Sequence, residues 1–205
     1  GCSSLDSISF PGTLETLYPG SLRATPYWEN LPGGENYLGS VFCFKETELD
    51  PWSPFHVDVR PGTLGIMEWQ SSQYDTTMSL PDGLRYIGPD AFPDGMYELD
   101  DFTLPESVTY IDDVPNGHRG VPKSDLPDAL TYIGINAFES DYQIDIGYLE
   151  IPNGVKYIGQ KAFAHINTGS SQKMDVRLPD SLEYMDWAAF TNNNIGQITN
   201  WSAAI

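Results

Sequence analysis

Basic residues are scarce in this sequence: 10 lysines and arginines stand against 29 aspartates and glutamates, giving a formal net charge of −19. A chain this acidic is repelled by phosphate backbones and by anionic lipid surfaces. We therefore expect no nucleic acid partner. Cationic proteins, neutral glycans and divalent ions remain compatible with the charge.

Long apolar runs are also missing, since no stretch approaches the roughly 20 apolar residues of a membrane-spanning helix. A basic segment followed by an apolar one, typical of a secretory signal, is not present either, although the chain can be a processed form. Hydrophobic residues still make up 40% and aromatic residues 13% of the composition. We therefore expect one large folded domain or two small ones, with a buried core.

Cysteine is rare, and two residues are too few for a disulfide framework. Cys2 stands in Gly-Cys-Ser-Ser, which resembles the junction of a bacterial lipoprotein, where the cysteine thiol carries the lipid. A lipid on Cys2 would anchor the domain without a spanning helix, and would be its only link to a membrane. The alternative is a free thiol. Cys43, within Val-Phe-Cys-Phe, is expected to be a small buried residue and not a nucleophile.

Motifs of catalysis and metal binding are lacking as well. The histidines His56, His118 and His165 show no paired spacing, so zinc is not predicted. Neither a nucleophile elbow nor a phosphate-binding glycine loop occurs. Paired carboxylates could serve glycoside hydrolysis and loop oxygens could bind calcium, but solvated surface acids are the preferred interpretation; the acids cluster as Glu98, Asp100 and Asp101, as Asp112 and Asp113, and as Asp141, Asp145 and Glu150. We predict no enzyme, no cofactor and no metal.

An internal repeat is the strongest positive feature. It reads LPDGLRYIGPDAF from residue 80, LPESVTYIDDV from 104, LPDALTYIGINAF from 126, IPNGVKYIGQKAF from 151 and LPDSLEYMDWAAF from 178. Fainter copies begin at Leu5, Leu31 and Val57. The prolines of the clear copies follow one another at intervals of 22 to 27 residues. A period of this length indicates stacked supersecondary units that share one core.

Each unit predicts one short strand before the proline, where apolar residues alternate, as in Met174, Val176 and Leu178. The same pattern covers Leu5 to Phe10, Val57 and Val59, Leu99 to Leu104, and Leu149 and Ile151. Proline then ends the strand, because it lacks the backbone N–H. The glycine after Tyr-Ile is expected to take a positive φ at a tight corner, and Ala-Phe to fill the interior. A coil with a strand on one side and looser turns on the other is the predicted result.

The unit L-x-x-I-x-L-P-x-x-L-x-x-I-G-x-x-A-F resembles the BspA-type leucine-rich repeat of bacterial and protist surface proteins. The resemblance implies an α/β-type repeat solenoid with little helix, in which a right-handed coil places short parallel strands on one concave face. It implies adhesion or protein binding at the cell surface and no catalytic residues. We assign residues 76–205 to five clear repeats with a terminal strand. Residues 1–75 would hold degenerate repeats and an amino-terminal cap, and the whole could form one continuous solenoid.

The first third permits a second interpretation, because residues 18–75 are rich in tryptophan and tyrosine. This segment is either the cap that covers the open end of a solenoid core or an aromatic-rich insertion that binds a ligand.

Residues that point outward on the predicted strands are the candidate binding positions: Asp101, Thr103, Tyr148, Glu150, Asp175 and Arg177. The expected partner is a protein or a host-matrix ligand. The alternative function is a carbohydrate-binding accessory lipoprotein whose exposed aromatic rings contact a glycan. In both cases we expect a lipid-anchored protein of the cell surface or outer membrane.

A tyrosine occupies one fixed place in all five clear copies, namely Tyr86, Tyr110, Tyr132, Tyr157 and Tyr184. In the resembled family this place is variable, which indicates an outward orientation. Stacked coils would place the rings about 5 Å apart, close enough to touch. The tyrosines are therefore either a structural ladder or a ligand-binding stripe.

Overall fold

The computed structural model describes residues 4–18, 20–45, 55–69, 76–89, 91, 103–113, 126–140 and 146–200. The chain divides into two compact units, residues 1–96 and 97–205. Both consist of short stacked strands, and the one helix among the described residues is four residues long. The predicted repeat solenoid with little helix is confirmed. The proposed division at residue 75 follows repeat regularity, not compactness, and stays a prediction.

The described residues of unit 1 form the helix and six strands: α1 (Pro26–Glu29), β1 (Gly34–Leu38), β2 (Val41–Lys45), β3 (Phe55–Asp58), β4 (Gly65–Trp69), β5 (Thr76–Ser79) and β6 (Tyr86–Ile87). Strands β1 and β2 form an antiparallel hairpin. Strand β4 then pairs in parallel with β2 on one side and with β6 on the other. A separate parallel pair joins β3 to β5.

The helix and the chain before it pack on the start of this sheet. Thr25 caps α1, because its hydroxyl accepts a hydrogen bond from the Trp28 backbone N–H (3.2 Å). Trp28 is buried in a cluster with Leu22, Leu38, Val41, Cys43 and Met67, and Leu5, Phe10, Leu14 and Leu17 lie against it. Arg23 Nε donates to Oε1 of the buried Glu68 (2.7 Å) and so ties this segment to β4. These contacts favour the cap hypothesis, which stays a prediction.

In unit 2 the part of the chain that the structure describes forms seven strands: β7 (Tyr110–Ile111), β8 (Tyr132–Ile133), β9 (Tyr148–Glu150), β10 (Tyr157–Ile158), β11 (Met174–Leu178), β12 (Tyr184–Met185) and β13 (Ile195–Asn200). They form two parallel sheets. One runs β7–β8–β10–β12 and the other β9–β11–β13. The chain passes from one sheet to the other and back, so that each pass is one coil of the solenoid.

A coil contains two short strands, whereas the sequence predicted one strand in each coil. The Tyr-Ile segment that was expected to be a looser turn is a second short strand, in register with its copies in neighbouring coils. Backbone hydrogen bonds continue on both sides of it, from Lys156 N to Thr131 O (2.9 Å) and from Gly159 N to Ile133 O (2.8 Å). Conversely, residues 5–10 and 103–104 are not strands, and Leu99 and Phe102 lie outside the described residues.

The core consists of the repeated aliphatic positions, as predicted. Leu84, Val108, Leu130 and Val155 are fully buried, and the isoleucine three residues later is at most 3% exposed in each of these copies. The phenylalanines of Ala-Phe also face inward and stack, with ring centroids 5.2 Å apart for Phe138 and Phe163 and 5.3 Å apart for Phe163 and Phe190.

The reason for the repeated glycine differs from the prediction. Gly134 and Gly159 do not have a positive φ. They are needed because adjacent coils approach backbone to backbone: a Cβ on Gly159 would lie 2.6 Å from Gly134 C. The positive φ falls two residues later, at Asn136 (56°), Lys161 (55°) and Ala188 (61°). The expected positive φ at the glycine was therefore wrong.

Candidate binding surface

Strands β9 and β11 present four of the predicted binding residues on one surface. Leu149 and Val176 point into the core, at 5% and 1% exposed. The residues on either side of them point outward, because successive side chains in a strand face opposite ways. The register places Tyr148 beside Asp175 and Glu150 beside Arg177. We call this surface, with Gln197 of β13, the β9–β11–β13 face.

Hydrogen bonds connect the side chains of this face. The Tyr148 hydroxyl donates to Glu150 Oε2 (2.7 Å), and Arg177 Nη1 lies 3.7 Å from the same oxygen. Asp175 accepts from the Gln197 backbone N–H (3.1 Å) and from its Nε2 (3.0 Å). The hydrogen bond to Glu150 raises the pKa of Tyr148, because the carboxylate favours the protonated phenol that donates to it. The face is therefore ordered before any ligand arrives.

Of three other predicted residues, only Thr103 lies in the described part of the chain, and it is outside this face. Thr103 is exposed but precedes Leu104 in an irregular segment, outside any strand. Asp101 and the predicted lipidation site Cys2 lie outside the described residues. Their roles stay predictions.

The tyrosines of unit 2 form a ladder on the other sheet. Ring centroids lie 4.1 Å apart for Tyr110 and Tyr132, 4.5 Å for Tyr132 and Tyr157, and 5.1 Å for Tyr157 and Tyr184. The interplanar angles are at most 9°. The expected contact between rings at about 5 Å is confirmed. We call these four residues the tyrosine ladder.

Burial separates the two predicted roles of the tyrosines. Tyr86 in unit 1 is 7% exposed, so its ring offers little surface to a ligand, and its role as a binding residue stays a prediction. Tyr110, Tyr132 and Tyr157 are half-buried, because each ring is covered by its neighbours. Tyr184 alone in the tyrosine ladder is exposed by half, at 51%. This favours a structural ladder, which lies on a different sheet from the β9–β11–β13 face.

The tyrosine ladder predicts a pH dependence of stability. Burial, and next the hydrogen bond with Tyr110, raise the pKa of Tyr132 above its ordinary value of 10.0. Above pH 10 the unfolded chain loses this proton before the folded chain does. The contribution of Tyr132 to the free energy of unfolding is therefore fully present below pH 10 and decreases as the pH rises above it. We expect Tyr132→Phe to show a shallower loss in urea titrations between pH 9 and 11 (about one unit either side of the ordinary phenol pKa). An unchanged slope would contradict this account.

The remaining cysteine is inert. Cys43 is fully buried in β2, and burial, followed by the nearby Glu68 carboxylate, raises the pKa of its thiol to about 12. Because the thiolate is the nucleophile, such a thiol does not react at neutral pH. The prediction of a small buried residue is confirmed.

One polar cluster on the β3–β5 pair contains the residue types of a hydrolytic triad. His56 Nε2 lies 3.1 Å from Ser79 Oγ and 3.2 Å from Asp58 Oδ1. In a triad the hydroxyl and the carboxylate contact opposite ring nitrogens, whereas here both contact the same one and Thr77 occupies Nδ1 (2.6 Å). This geometry does not activate Ser79.

The described residues include no group of three or more His, Cys, Asp or Glu side chains placed to hold a metal ion. They also include no helix of the length and apolarity that crossing a membrane requires.

Several exposed residues of the last described coil of unit 2 were not predicted from the sequence. Met185, Trp187 and Ile198 are 44%, 70% and 49% exposed, although Met185 and Ile198 occupy core positions of the repeat. Gln197, which binds Asp175, was also missed. A signal was present in the sequence, because residues 187–205 contain no charged residue and no histidine.

Comparison with protein families gives one finding. The description "BspA type Leucine rich repeat region" matches residues 68–196, more than half of the chain, in six copies. Neither the curated proteins nor the solved structures that were compared give a match.

Proposed function

Since the chain belongs to the BspA-type leucine-rich repeat family, we propose that it is a non-catalytic scaffold for adhesion or protein binding at a bacterial cell surface. Repeat solenoids of this kind present many side chains on a rigid array, and protein interaction is what such arrays commonly serve. The one triad-like cluster among the described residues supports a non-catalytic role, because His56, Asp58 and Ser79 do not have the geometry of a hydrolytic triad.

The β9–β11–β13 face is the observation that carries the proposal. Tyr148 is 54% exposed, so its ring is available to a ligand, while its hydroxyl is held by Glu150, which lies beside Arg177. Tyrosine and arginine are among the residue types on which protein interfaces depend most. Because the side chains are held by hydrogen bonds, binding would cost little further ordering.

The charge indicates which partner this face accepts. Glu150 and Asp175 face solvent with Arg177, within a chain of formal charge −19. Such a field attracts cationic surfaces over long range and speeds their association. We therefore infer a protein ligand with a basic patch, such as a component of the host matrix.

A binding measurement with charge reversal tests this proposal. Against a panel of immobilised matrix proteins, the double variant Glu150→Lys/Asp175→Lys should raise the Kd of the tightest partner by about tenfold or more. Reversal removes the carboxylates that hold Tyr148 and Gln197 in place, and adds two positive charges to the contact.

The matched control is Glu183→Lys/Asp128→Lys, which makes the same change of net charge at exposed positions of unit 2 outside this face. It should alter the Kd much less. An equal loss of affinity in both double variants would mean that only net charge matters. If neither the wild-type chain nor the variants bound any protein of the panel, the proposal would be refuted.

A glycan ligand is the second candidate, because Trp187 is 70% exposed and Tyr148 54% exposed. Flat aromatic rings at the surface can stack on sugar rings. A glycan array would show hits that Trp187→Ala or Tyr148→Ala removes. An array without hits would dispose of this candidate.

We also propose that a lipid on Cys2 holds the protein at the membrane, on the strength of its Gly-Cys-Ser-Ser setting. An acyl chain anchors a protein without a spanning helix. Expressed behind a lipoprotein signal sequence, the protein should incorporate a fatty acid label that Cys2→Ser abolishes. Labelling that survives this substitution would exclude Cys2 as the site.

A further inference from the structure

A histidine and a carboxylate face outward together on β3. His56 and Asp58 are two residues apart in this strand, so their side chains lie on the same side of it. Val57 between them is fully buried, whereas the side chains of His56 and Asp58 are 50% and 84% exposed. The register places Thr77 of β5 beside His56, and Ser79 beside Asp58. We call these four polar residues the His56 cluster.

The two nitrogens of the His56 ring have different neighbours. Nδ1 lies 2.6 Å from the Thr77 hydroxyl oxygen. Nε2 lies 3.2 Å from Asp58 Oδ1 and 3.1 Å from Ser79 Oγ. When Nδ1 carries the proton and donates it to Thr77, Nε2 has a free lone pair beside the oxygens of Asp58 and Ser79. Three electron-pair donors then lie close together, which is the arrangement that a cation requires.

The spacing of these three donor atoms fits a single metal ion. Two ligand atoms that each lie about 2.1 Å from an ion are about 3.0 Å apart at an octahedral angle and about 3.4 Å apart at a tetrahedral angle. The distances from His56 Nε2 to Asp58 Oδ1 and Ser79 Oγ, 3.2 and 3.1 Å, lie between these values. An ion can therefore be bound here without rearrangement of the strands.

The chemistry of the donors indicates which ions are suitable. An imidazole nitrogen favours zinc, copper and nickel, whereas magnesium and calcium prefer oxygen ligands alone. A histidine that binds a metal usually donates its other ring N–H to a neighbouring group, as Nδ1 can to Thr77. The formal charge of −19 also raises the concentration of cations near the surface.

From the donor spacing and the orientation of the ring, we propose that the His56 cluster binds a divalent transition-metal ion such as Zn²⁺. The ligands are His56 Nε2, Asp58 Oδ1 and Ser79 Oγ, and Thr77 is the positioning residue that holds the ring. No three His, Cys, Asp or Glu side chains meet among the described residues, so the hydroxyl completes the set of protein ligands. At least one coordination position stays open to water or to a side chain of a bound protein.

The proposal departs from the sequence prediction of no metal. That prediction depended on the lack of paired histidines, whereas the His56 cluster is formed by one histidine and by the pairing of β3 with β5. The cluster belongs to unit 1 and the β9–β11–β13 face to unit 2. The metal site therefore holds or fails independently of the protein ligand proposed above.

Nuclear magnetic resonance of the histidine rings tests the proposal directly. The chain contains three histidines, so ¹⁵N-labelled histidine gives a simple spectrum of the 205-residue protein. Addition of Zn²⁺ should shift the Nε2 signal of one ring and leave its Nδ1 protonated. The response should be absent in His56→Gln, and excess Ca²⁺ should not reverse it.

Calorimetric titration with Zn²⁺ separates the roles of the other residues. Thr77→Val should raise the Kd about tenfold, the lower end of the range for a group that orients a metal ligand. Asp58→Asn should raise the Kd further, because the charge of a direct ligand is lost. The control is His165→Gln, which removes a histidine 3.8 Å from the Glu139 carboxylate in unit 2 and should leave the Kd unchanged.

Three results would each overturn the proposal: no histidine signal that responds to Zn²⁺, a response that survives in His56→Gln, or a Kd that Thr77→Val and Asp58→Asn both leave unchanged. His56, Asp58 and Thr77 are exposed, so their variants should keep the circular dichroism spectrum of the wild type. A lost response in a folded variant therefore reports on the ion and not on the fold.

Discussion

Gly159→Ala is expected to lower the free energy of unfolding of unit 2 by about 3 kcal/mol or more. The added methyl would lie 2.6 Å from Gly134 C and Ile135 N, and both are backbone atoms of the adjacent coil. Rotation of a side chain cannot relieve such a contact, so two coils must separate and weaken the hydrogen bond from Gly159 N to Ile133 O (2.8 Å). Urea titration followed by circular dichroism measures the loss.

The control for this substitution is Gly12→Ala. A Cβ on Gly12 meets nothing within 4 Å, and its φ is not in the positive region. Alanine there should be neutral or slightly stabilising, because it restricts the unfolded chain. Equal effects at Gly12 and Gly159 would contradict the close approach of coils. In the last described coil, Asp186 occupies the position that Gly159 has in its own coil. No described residue is stacked on the outer side of the last described coil, so that coil can shift to make room for the Asp186 side chain.

Phe163→Ala should cost about 3–5 kcal/mol, the range for removal of a buried phenylalanine ring. The ring is fully buried and lies between Phe138 and Phe190, at centroid distances of 5.2 and 5.3 Å. Its removal leaves a cavity in the middle of a stack, where neighbouring coils cannot collapse because their backbones are already in contact. Chemical denaturation of the full chain measures the change.

The comparison variants are Phe190→Ala and Tyr148→Ala. Phe190 is half-buried and has a stacking partner on one side only among the described residues, so its loss should cost less than that of Phe163. Tyr148 is 54% exposed and should change stability by no more than about 0.5 kcal/mol. If Phe163→Ala were as mild as Tyr148→Ala, the stacked interior described here would be wrong.

Much of the fold could be predicted from the sequence because duplication repeats each physical requirement at a fixed interval. The aliphatic places of the unit are identical in chemistry from Leu84 to Val155, and their burial follows. The position of Tyr148, Glu150, Asp175 and Arg177 on one face followed from simple alternation along β9 and β11. The tyrosine ladder followed from the spacing of coils.

Other features depend on contacts that no local pattern records. The Tyr-Ile strands are two residues long, and only pairing with neighbouring coils makes them strands. Whether a glycine serves a positive φ or a close approach depends on what lies across from it, as Gly159 and Gly134 show. The exposure of Met185 depends on its place in the last coil, although its sequence context is that of a buried residue.

Hydrogen exchange in the presence of a ligand tests the central claim, that this scaffold binds proteins through the β9–β11–β13 face. With the matrix protein that binds most tightly in the panel, backbone amides of β9, β11 and β13 should exchange more slowly than in the free chain. Amides of β8 and β10, on the other sheet, should be unchanged. Protection confined to β8 and β10, or to unit 1, would contradict the account.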